Sequence, residues 1–258
     1  MTDRVQPFLK LWTGSSGSER ANAQPFLLDL CDLLDVPRPP AGGPGFDDYR
    51  FEKPLSIHHL DGHVSTERLD FYKRGCFVLE AKQALSADAT VPGVRRGTPS
   101  WQALMQAAFG QVLAYASYLP EHRPPFLLTC DIGHCFEVWT GFCGDYGRYG
   151  ARRTIPLADL GRPDVREFLA RIFEDPWSLD PARRATRVTR QVATHLADLA
   201  RSLESEARPE VVARFLMLCL FTMFAEDVGL LENHLFTRTL RGVWLPHPER
   251  FPAGLEAL

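Results

Sequence analysis

The stretch RLDFYKRGCFVLEAKQ, Arg68 to Gln83, sets Asp70 ten residues ahead of Glu80 and places Lys82 two residues further on, within an otherwise apolar and aromatic run. Two carboxylates and an ammonium suit metal-assisted hydrolysis of a phosphodiester. Asp70 and Glu80 would share a hard divalent cation such as Mg²⁺ or Mn²⁺, which polarises the phosphate and acidifies a water. Lys82 would orient or deprotonate that water and offset charge on the phosphorane. The competing reading is a solvated strand face carrying an exposed Glu-Lys pair, because a D…ExK spacing is short and arises by chance. Other groups carry weaker signals. CDIGHC holds Cys130, His134 and Cys135, but has no CxxC and no second half at zinc spacing, so it reads as two strand cysteines and a turn histidine. Glu226 and Asp227 are neighbours in a helical run and point about 100° apart, which fits a structural or interdomain role better than a carboxylate pair. Arg183, Arg184, Arg187 and Arg190 form the densest basic cluster, and Arg95 and Arg96 lie in a basic loop. Each set reads either as a phosphate contact or as a solvated face, and the helical cluster also as a contact with a neighbouring domain.

Positioning these groups requires a hairpin. With Lys73, Arg74 and Gly75 as a three-residue loop, Tyr72 faces Cys76, Asp70 faces Val78 and Glu80 lies diagonal to Asp70, its Cβ roughly 7 Å away. Strand alternation then puts Arg68, Asp70, Tyr72, Cys76, Val78, Glu80 and Lys82 on an outward face, and Leu69, Phe71, Phe77, Leu79 and Ala81 on a core face. A two-residue loop would send Asp70 into the core, so the hydrophobic pattern selects the longer one.

Around the hairpin the chain reads as a mixed sheet with packed helices, an α/β (α+β) class, followed by an all-α part. A helix is expected over Ser18 to Leu34, kinked or restarted at Pro25, where the ring clashes with the preceding turn. Strands are expected at Tyr49 to Glu52, around Ile57 to His63, at Arg68 to Tyr72, Cys76 to Lys82, Phe126 to Asp131 and Cys135 to Trp139. The helix Trp101 to Leu119 separates the last two from the hairpin. From about Leu157 the pattern is helical, with Asp164 to Phe173, Arg187 to Leu203 and Pro209 to Leu231. WSLDPARRATR is the expected boundary, giving domains at 1–175 and 176–258.

Composition bounds the rest. The 258 residues carry a formal charge of −3, so a nucleic-acid partner would have to be met by local patches. The opening MTDRVQPFLKLW lacks the pattern of a secretory signal, and FLMLCLFTMF is too short to span a bilayer. With six cysteines scattered through the chain, the expected location is a reducing cytoplasm without membrane partners.

The D-x9-E-x-K hairpin resembles the PD-(D/E)XK nuclease superfamily. More particularly, the chain resembles the N-terminal part of MmeI-like (type IIL) restriction-modification enzymes. The likeness is carried by SERANAQPFLLDLCDLLDVPRP, RLDFYKRGCFVLEAKQ, MQAAFGQVLAYASYLPEHRPPFLLTCD, VTRQVATHLADLARSLE and FLMLCLFTMFAEDVGLL. The resemblance implies a nuclease domain followed by a helical spacer, with double-stranded DNA as partner. It implies Asp70, Glu80 and Lys82 as metal and catalytic residues, Glu19 near the metal, and Gln111 with Tyr115 lining the site. It also implies a downstream adenine-N6 methyltransferase using S-adenosylmethionine and a target-recognition domain. No methyltransferase motif occurs in these residues and the sequence stops at GLEAL, so a fragment is expected, with self-association a route to cutting both strands. The alternative is a nuclease fold without catalysis that organises or regulates the methyltransferase.

Overall fold

The computed structural model describes residues 4–13, 15, 18–43, 46–58, 61–119, 123–144, 148–204 and 207–247. It divides into two compact units, residues 1–184 and 185–258.

The first unit is built on six strands in chain order: β1 (Tyr49–His58), β2 (Val64–Lys73), β3 (Phe77–Lys82), β4 (Phe126–Asp131), β5 (Cys135–Thr140) and β6 (Arg153–Pro156). Neighbours pair antiparallel except β3 and β4, which are parallel and joined by the helix α3 (Pro99–Tyr118). A parallel pair needs such a crossover. Helices α1 (Val5–Trp12), α2 (Glu19–Leu34) and α4 (Pro163–Glu174) contribute Phe8, Trp12, Phe26, Leu30, Leu169 and Phe173 to one core cluster with Phe71, Phe77, Phe126 and Phe136 from the strands. On a second cluster, Val112, Tyr115, Ala116 and Leu119 of the α3 segment meet Tyr72, Val78, Leu127 and Trp139. The sheet is thus covered on both faces, and β4 is buried along its whole length, as expected of a central strand.

Several elements differ from the sequence expectations. The segment expected at Tyr49 to Glu52 and the start of the one expected around Ile57 to His63 belong to one strand, β1, kinked where Glu52 takes the left-handed conformation at φ 50°; of the rest of the second segment, residues 59 and 60 lie outside the described residues and 61–63 are not strand. β1 pairs with β2 on both sides of the kink, Phe51 with Phe71 and Lys53 with Leu69. Helix α2 runs through Pro25 without restarting. Pro25 lies on an exposed position, where solvent can satisfy the carbonyl that loses its partner. The stretch expected as a boundary is itself ordered: a 3₁₀ turn, Pro176–Leu179, leads into α5 (Pro181–Leu203). Helix α1, of 8 residues, and strand β6, of 4, were not anticipated, being too short for their periodicity to stand out.

In the second unit, α6 (Pro209–Asp227) is followed by a short α7 (Leu235–Thr239). The Glu226 carboxylate accepts the Thr237 N–H at 3.0 Å and the Thr237 hydroxyl, tying α6 to α7, while Asp227 faces solvent. That gives Glu226 the structural role its position on the helix suggested. No helix among the described residues is long and apolar enough to cross a membrane.

Candidate active site

The hairpin between β2 and β3 has a three-residue loop, as expected, but it starts one residue later, at Arg74 instead of Lys73. Lys73 pairs with Phe77, Tyr72 with Val78 and Phe71 with Leu79, so the turn is Arg74, Gly75 and Cys76, with Gly75 at φ 68°. A left-handed residue in the middle of the loop is what lets the strands reverse here. The shift is by two positions, so side-chain parity is kept and Asp70 comes level with Glu80 instead of Val78. Cys76 leaves the strand face and packs with Phe71 and Phe77. Leu69 joins the cluster beneath α3 and Phe71 the opposite one, although strand alternation puts both on one face. The kink at Glu52, directly across from Asp70, marks where the two strands turn.

At that point β2 and β3 part. The paired ladder ends at Phe71 and Leu79, and the next N–H of β3, that of Ala81, is accepted by the Asp70 carboxylate at 2.8 Å. A side chain thus satisfies a donor that a strand neighbour would otherwise take. Beyond the fork β3 stays paired with β4 through Lys82 and Asp131. Asp70, Glu80 and Lys82 line this divergence on the α3 side of the sheet.

Glu80 is not on a solvated face. It is 5 % exposed, its Oε1 accepts from Lys82 Nζ at 2.7 Å, and its Oε2 is buried with no hydrogen-bond partner among the described residues. Leaving a buried carboxylate oxygen unsatisfied costs on the order of 1–3 kcal/mol. Burial, followed by repulsion from Asp70, pushes its pKa up to about 7. Burial also raises Asp70, against the lowering effect of the Ala81 hydrogen bond. For Lys82, burial favours the neutral amine, but Glu80, Glu19 and Asp70 outweigh it and hold the pKa above the ordinary lysine value. Lys82 is thus held as an ammonium by the surrounding carboxylates, an arrangement suited to orientation and charge compensation.

Glu19 opens α2, whose N-cap Ser18 accepts the Ala21 N–H at 3.3 Å, and its Oε1 lies 3.8 Å from Lys82 Nζ. The unbroken helix through Pro25 keeps Glu19 at the site. On the other side, buried Tyr115 is hydrogen-bonded by Gln111 and close enough to Glu80 for that charge, after burial, to raise the phenol. The structure thus brings Glu19, Asp70, Glu80, Lys82, Gln111 and Tyr115 to one place.

The basic residues divide. Arg96 donates to Asp131 from Nε at 2.9 Å and Nη2 at 3.1 Å and to the Ile132 carbonyl at 2.7 Å, and Asp131 is fully buried. Asp131 also accepts from Ala84 N and Trp101 Nε1. The Arg96 guanidinium thereby holds the loop after β3 onto the end of β4. Arg95 is exposed, as is Arg184, while Arg183 lies over the Trp177 ring at 4.5 Å. In the CDIGHC stretch, Cys130 and Cys135 are buried on adjacent strands, burial pushing the Cys135 thiol up to about 12, and His134 meets Trp101 edge-on.

Sequence reasoning missed three supports. Gln83 bonds Asn22 at 2.9 Å and the Ser15 carbonyl at 3.3 Å, fastening the start of α2 to the end of β3. Asp131 anchors the following loop. Glu137, 2 % exposed on β5, is bonded by Thr129 and Arg152. A charged residue amid the apolar CFEVWT was a visible signal for the last; the other two depend on partners distant in sequence.

A divalent cation fits the fork on the chemistry of its donors. Two hard oxygen ligands, one of them an orphaned buried oxygen, match a Mg²⁺ shell completed largely by water and phosphate. Among the described residues no group of three or more His, Cys, Asp or Glu side chains is arranged to hold a metal; Asp70 and Glu80 would be the direct ligands, with Glu19, 3.8 Å from Lys82 Nζ, beside them.

No curated protein and no solved structure matches the chain. Two family models do: the MmeI N-terminal domain over residues 3–206 and the MmeI helicase spacer domain over residues 210–258. With these two models covering nearly all of it, the chain belongs to the MmeI family and constitutes a region of a restriction-modification enzyme.

Proposed function

We propose that residues 1–175 form a PD-(D/E)XK-type DNA endonuclease module dependent on Mg²⁺ or Mn²⁺, and that residues 176–258 begin its helical connector. The observation that carries this reading is the unpartnered Glu80 Oε2, buried beside Asp70 and Lys82 at the strand fork. Asp70 and Glu80 would hold the cation, which when bound supplies Lewis acidity to the phosphate and acidity to a water. The chain's own groups do the rest. Lys82, pinned by Glu80 and Glu19, presents a permanent positive charge to the phosphate and orients the water. Tyr115 and Gln111 wall the fork on the α3 side, limiting water to the path a substrate leaves open. Double-stranded DNA is the substrate, and the methyltransferase, with its S-adenosylmethionine, and the target-recognition functions would reside in other domains of the same polypeptide, in a bacterial cytoplasm. Cutting both strands would bring two such modules together.

The test is plasmid cleavage by the full-length enzyme with Mg²⁺ or Mn²⁺. Asp70→Ala, Glu80→Gln and Lys82→Ala are each expected to reduce cutting by about 100-fold or more, the scale of losing one preorganised charge at a transition state. Wild-type cutting by all three variants would overturn the assignment. That no group of three or more His, Cys, Asp or Glu side chains among the described residues is arranged to hold a metal favours a second reading, a module that organises or regulates the methyltransferase without cutting. On that reading the wild-type enzyme would not cleave under any divalent cation.

A further inference from the structure

The α3 face of the sheet changes character along the strands. One row, Tyr72, Val78, Leu127 and Trp139, is apolar and packs beneath α3. Two residues further along, the registered neighbours are Glu80, Thr129, Glu137 and Thr154, from β3 to β6. With strands about 4.8 Å apart, Glu80 and Glu137 stand about 10 Å from each other on one face. The polar row passes below the N-terminal half of α3 and emerges on its far side in a cleft of about 740 Å³ lined by Trp101, Gln102, Gln106, Glu137, Arg152 and Thr154, among others. That volume is typical of a small-molecule site.

Glu137 is the unusual member. Its strand neighbours Phe136, Val138 and Trp139 are buried and apolar, and burying a charge at such a position costs desolvation that the half-exposed Arg152 offsets only in part. Arg152 donates to Oε1 at 2.9 Å and Thr129 to Oε2 at 3.3 Å. The Glu137 side chain is 3 % exposed behind the half-exposed Arg152, so a ligand reaches its two oxygens by displacing the Arg152 side chain, and each oxygen has a lone pair to accept with. Beside it Trp101 is held by its Nε1–H to Asp131 at 2.8 Å and by the edge contact with His134, forming a rigid aromatic wall. Gln102 and Gln106, one turn apart on α3 and exposed, supply amide donors and acceptors at the rim. The Arg152 side chain, 54 % exposed, has N–H groups left for a phosphate.

We propose that this cleft binds a guanine base, stacked on Trp101, with its adjacent N1–H and 2-amino donors on the two Glu137 oxygens and its other edge read by Gln102 and Gln106. Adenine, cytosine and thymine each lack a pair of adjacent donors and would leave Glu137 facing an acceptor. The choice of a nucleobase rests on the DNA-acting role proposed above. Whether the guanine comes from a free nucleotide or from an unpaired position in DNA is separated by the test.

The test is calorimetric titration of the whole chain without divalent cation, so that it is independent of cleavage. The ligands are dGMP, dAMP, dCMP, dTMP and duplex oligonucleotides carrying one unpaired G or one unpaired A. Saturable binding of dGMP, of the unpaired-G duplex or of both is expected, at least about tenfold tighter than the matched ligands, toward the lower end of what a bidentate base contact discriminates. Binding of the duplex alone would assign the source to DNA. Glu137→Gln, which places a donor where an acceptor is needed, should abolish the preference. Gln106→Leu, at an exposed helix position that folding does not require, should weaken guanine binding at unchanged Tm and decides the matter if Glu137→Gln does not fold. Absence of saturable binding by either guanine ligand, equal binding of all bases, or wild-type binding by Gln106→Leu would overturn the proposal.

Discussion

Glu80 is the residue on which the site turns. Its burial in a fork of the sheet, beside Asp70, makes its charged form unfavourable, and Lys82 compensates only one of its two oxygens. The sign of the pH dependence follows. The folded pKa, about 7, lies above the ordinary 4.5, so between these values the folded chain holds a proton that the unfolded chain has lost. Stability from this group is present below pH 4.5 and is lost as pH rises through 7. Urea unfolding of the cation-free chain should show that decline, on the order of 1–3 kcal/mol, and Glu80→Gln should flatten it. A divalent cation competes with the same proton, so its stabilising effect should grow over this range. The D…ExK spacing announced these three residues, but not that Glu80 is buried: burial comes from α3 and β4, whose placement over the hairpin is a long-range fact.

At the scale of elements, the site is held by side chains that replace or reinforce backbone pairing. Asp70 takes the Ala81 N–H where β2 leaves β3, Gln83 ties β3 to α2, and Asp131 with Arg96 ties the loop after β3 to the end of β4. Removing one member of a buried ion pair costs about 3–5 kcal/mol, because the other is left uncompensated. Arg96→Ala is therefore expected to lower the urea midpoint strongly, whereas Arg95→Ala, at an exposed position, should leave it within error. Equal midpoints for the two variants would show that the loop is not held this way. Most of these elements were legible: the strands β3 to β5 from β-branched and aromatic runs between turns, α3 from its Thr98 cap and Pro120, which pushes Leu119 into extended backbone. The hairpin register was not. Loops of three residues starting at Lys73 or at Arg74 keep the same side-chain parity, and only packing chooses between them. Nor was the unbroken α2, since whether a proline breaks a helix depends on whether solvent reaches the carbonyl it orphans.

For the whole molecule, the two units differ in how their helices are supported. In the first, α2 and α3 bury Phe26, Leu27, Leu30, Met105 and Val112 against the sheet. In the second, α6 buries only Val212 and Ala225 among its residues, while Met217, Phe221 and Phe224 are more than half exposed. Backbone bonds guarded by few buried contacts open at lower free energy. Amides of residues 210–227 should exchange at least about tenfold faster than those of 77–82 and 126–131 when this chain is followed by hydrogen exchange mass spectrometry. Comparable protection would mean that α6 is better covered than its exposure indicates. The change of character after Leu157 was visible in the sequence, and the division between the two units at residues 184 and 185 falls within the polar, proline-containing stretch WSLDPARRATR, although α5 begins inside that stretch where a linker was expected.

The central claim is that the buried, half-satisfied Glu80 carboxylate awaits a cation. It is tested most directly by titrating the chain with Mn²⁺ at pH 8 and reading the free ion by electron paramagnetic resonance. Saturable Mn²⁺ binding that is lost in both Glu80→Gln and Asp70→Asn is the predicted result. Binding that is absent from the wild type, or that survives both substitutions, would contradict it.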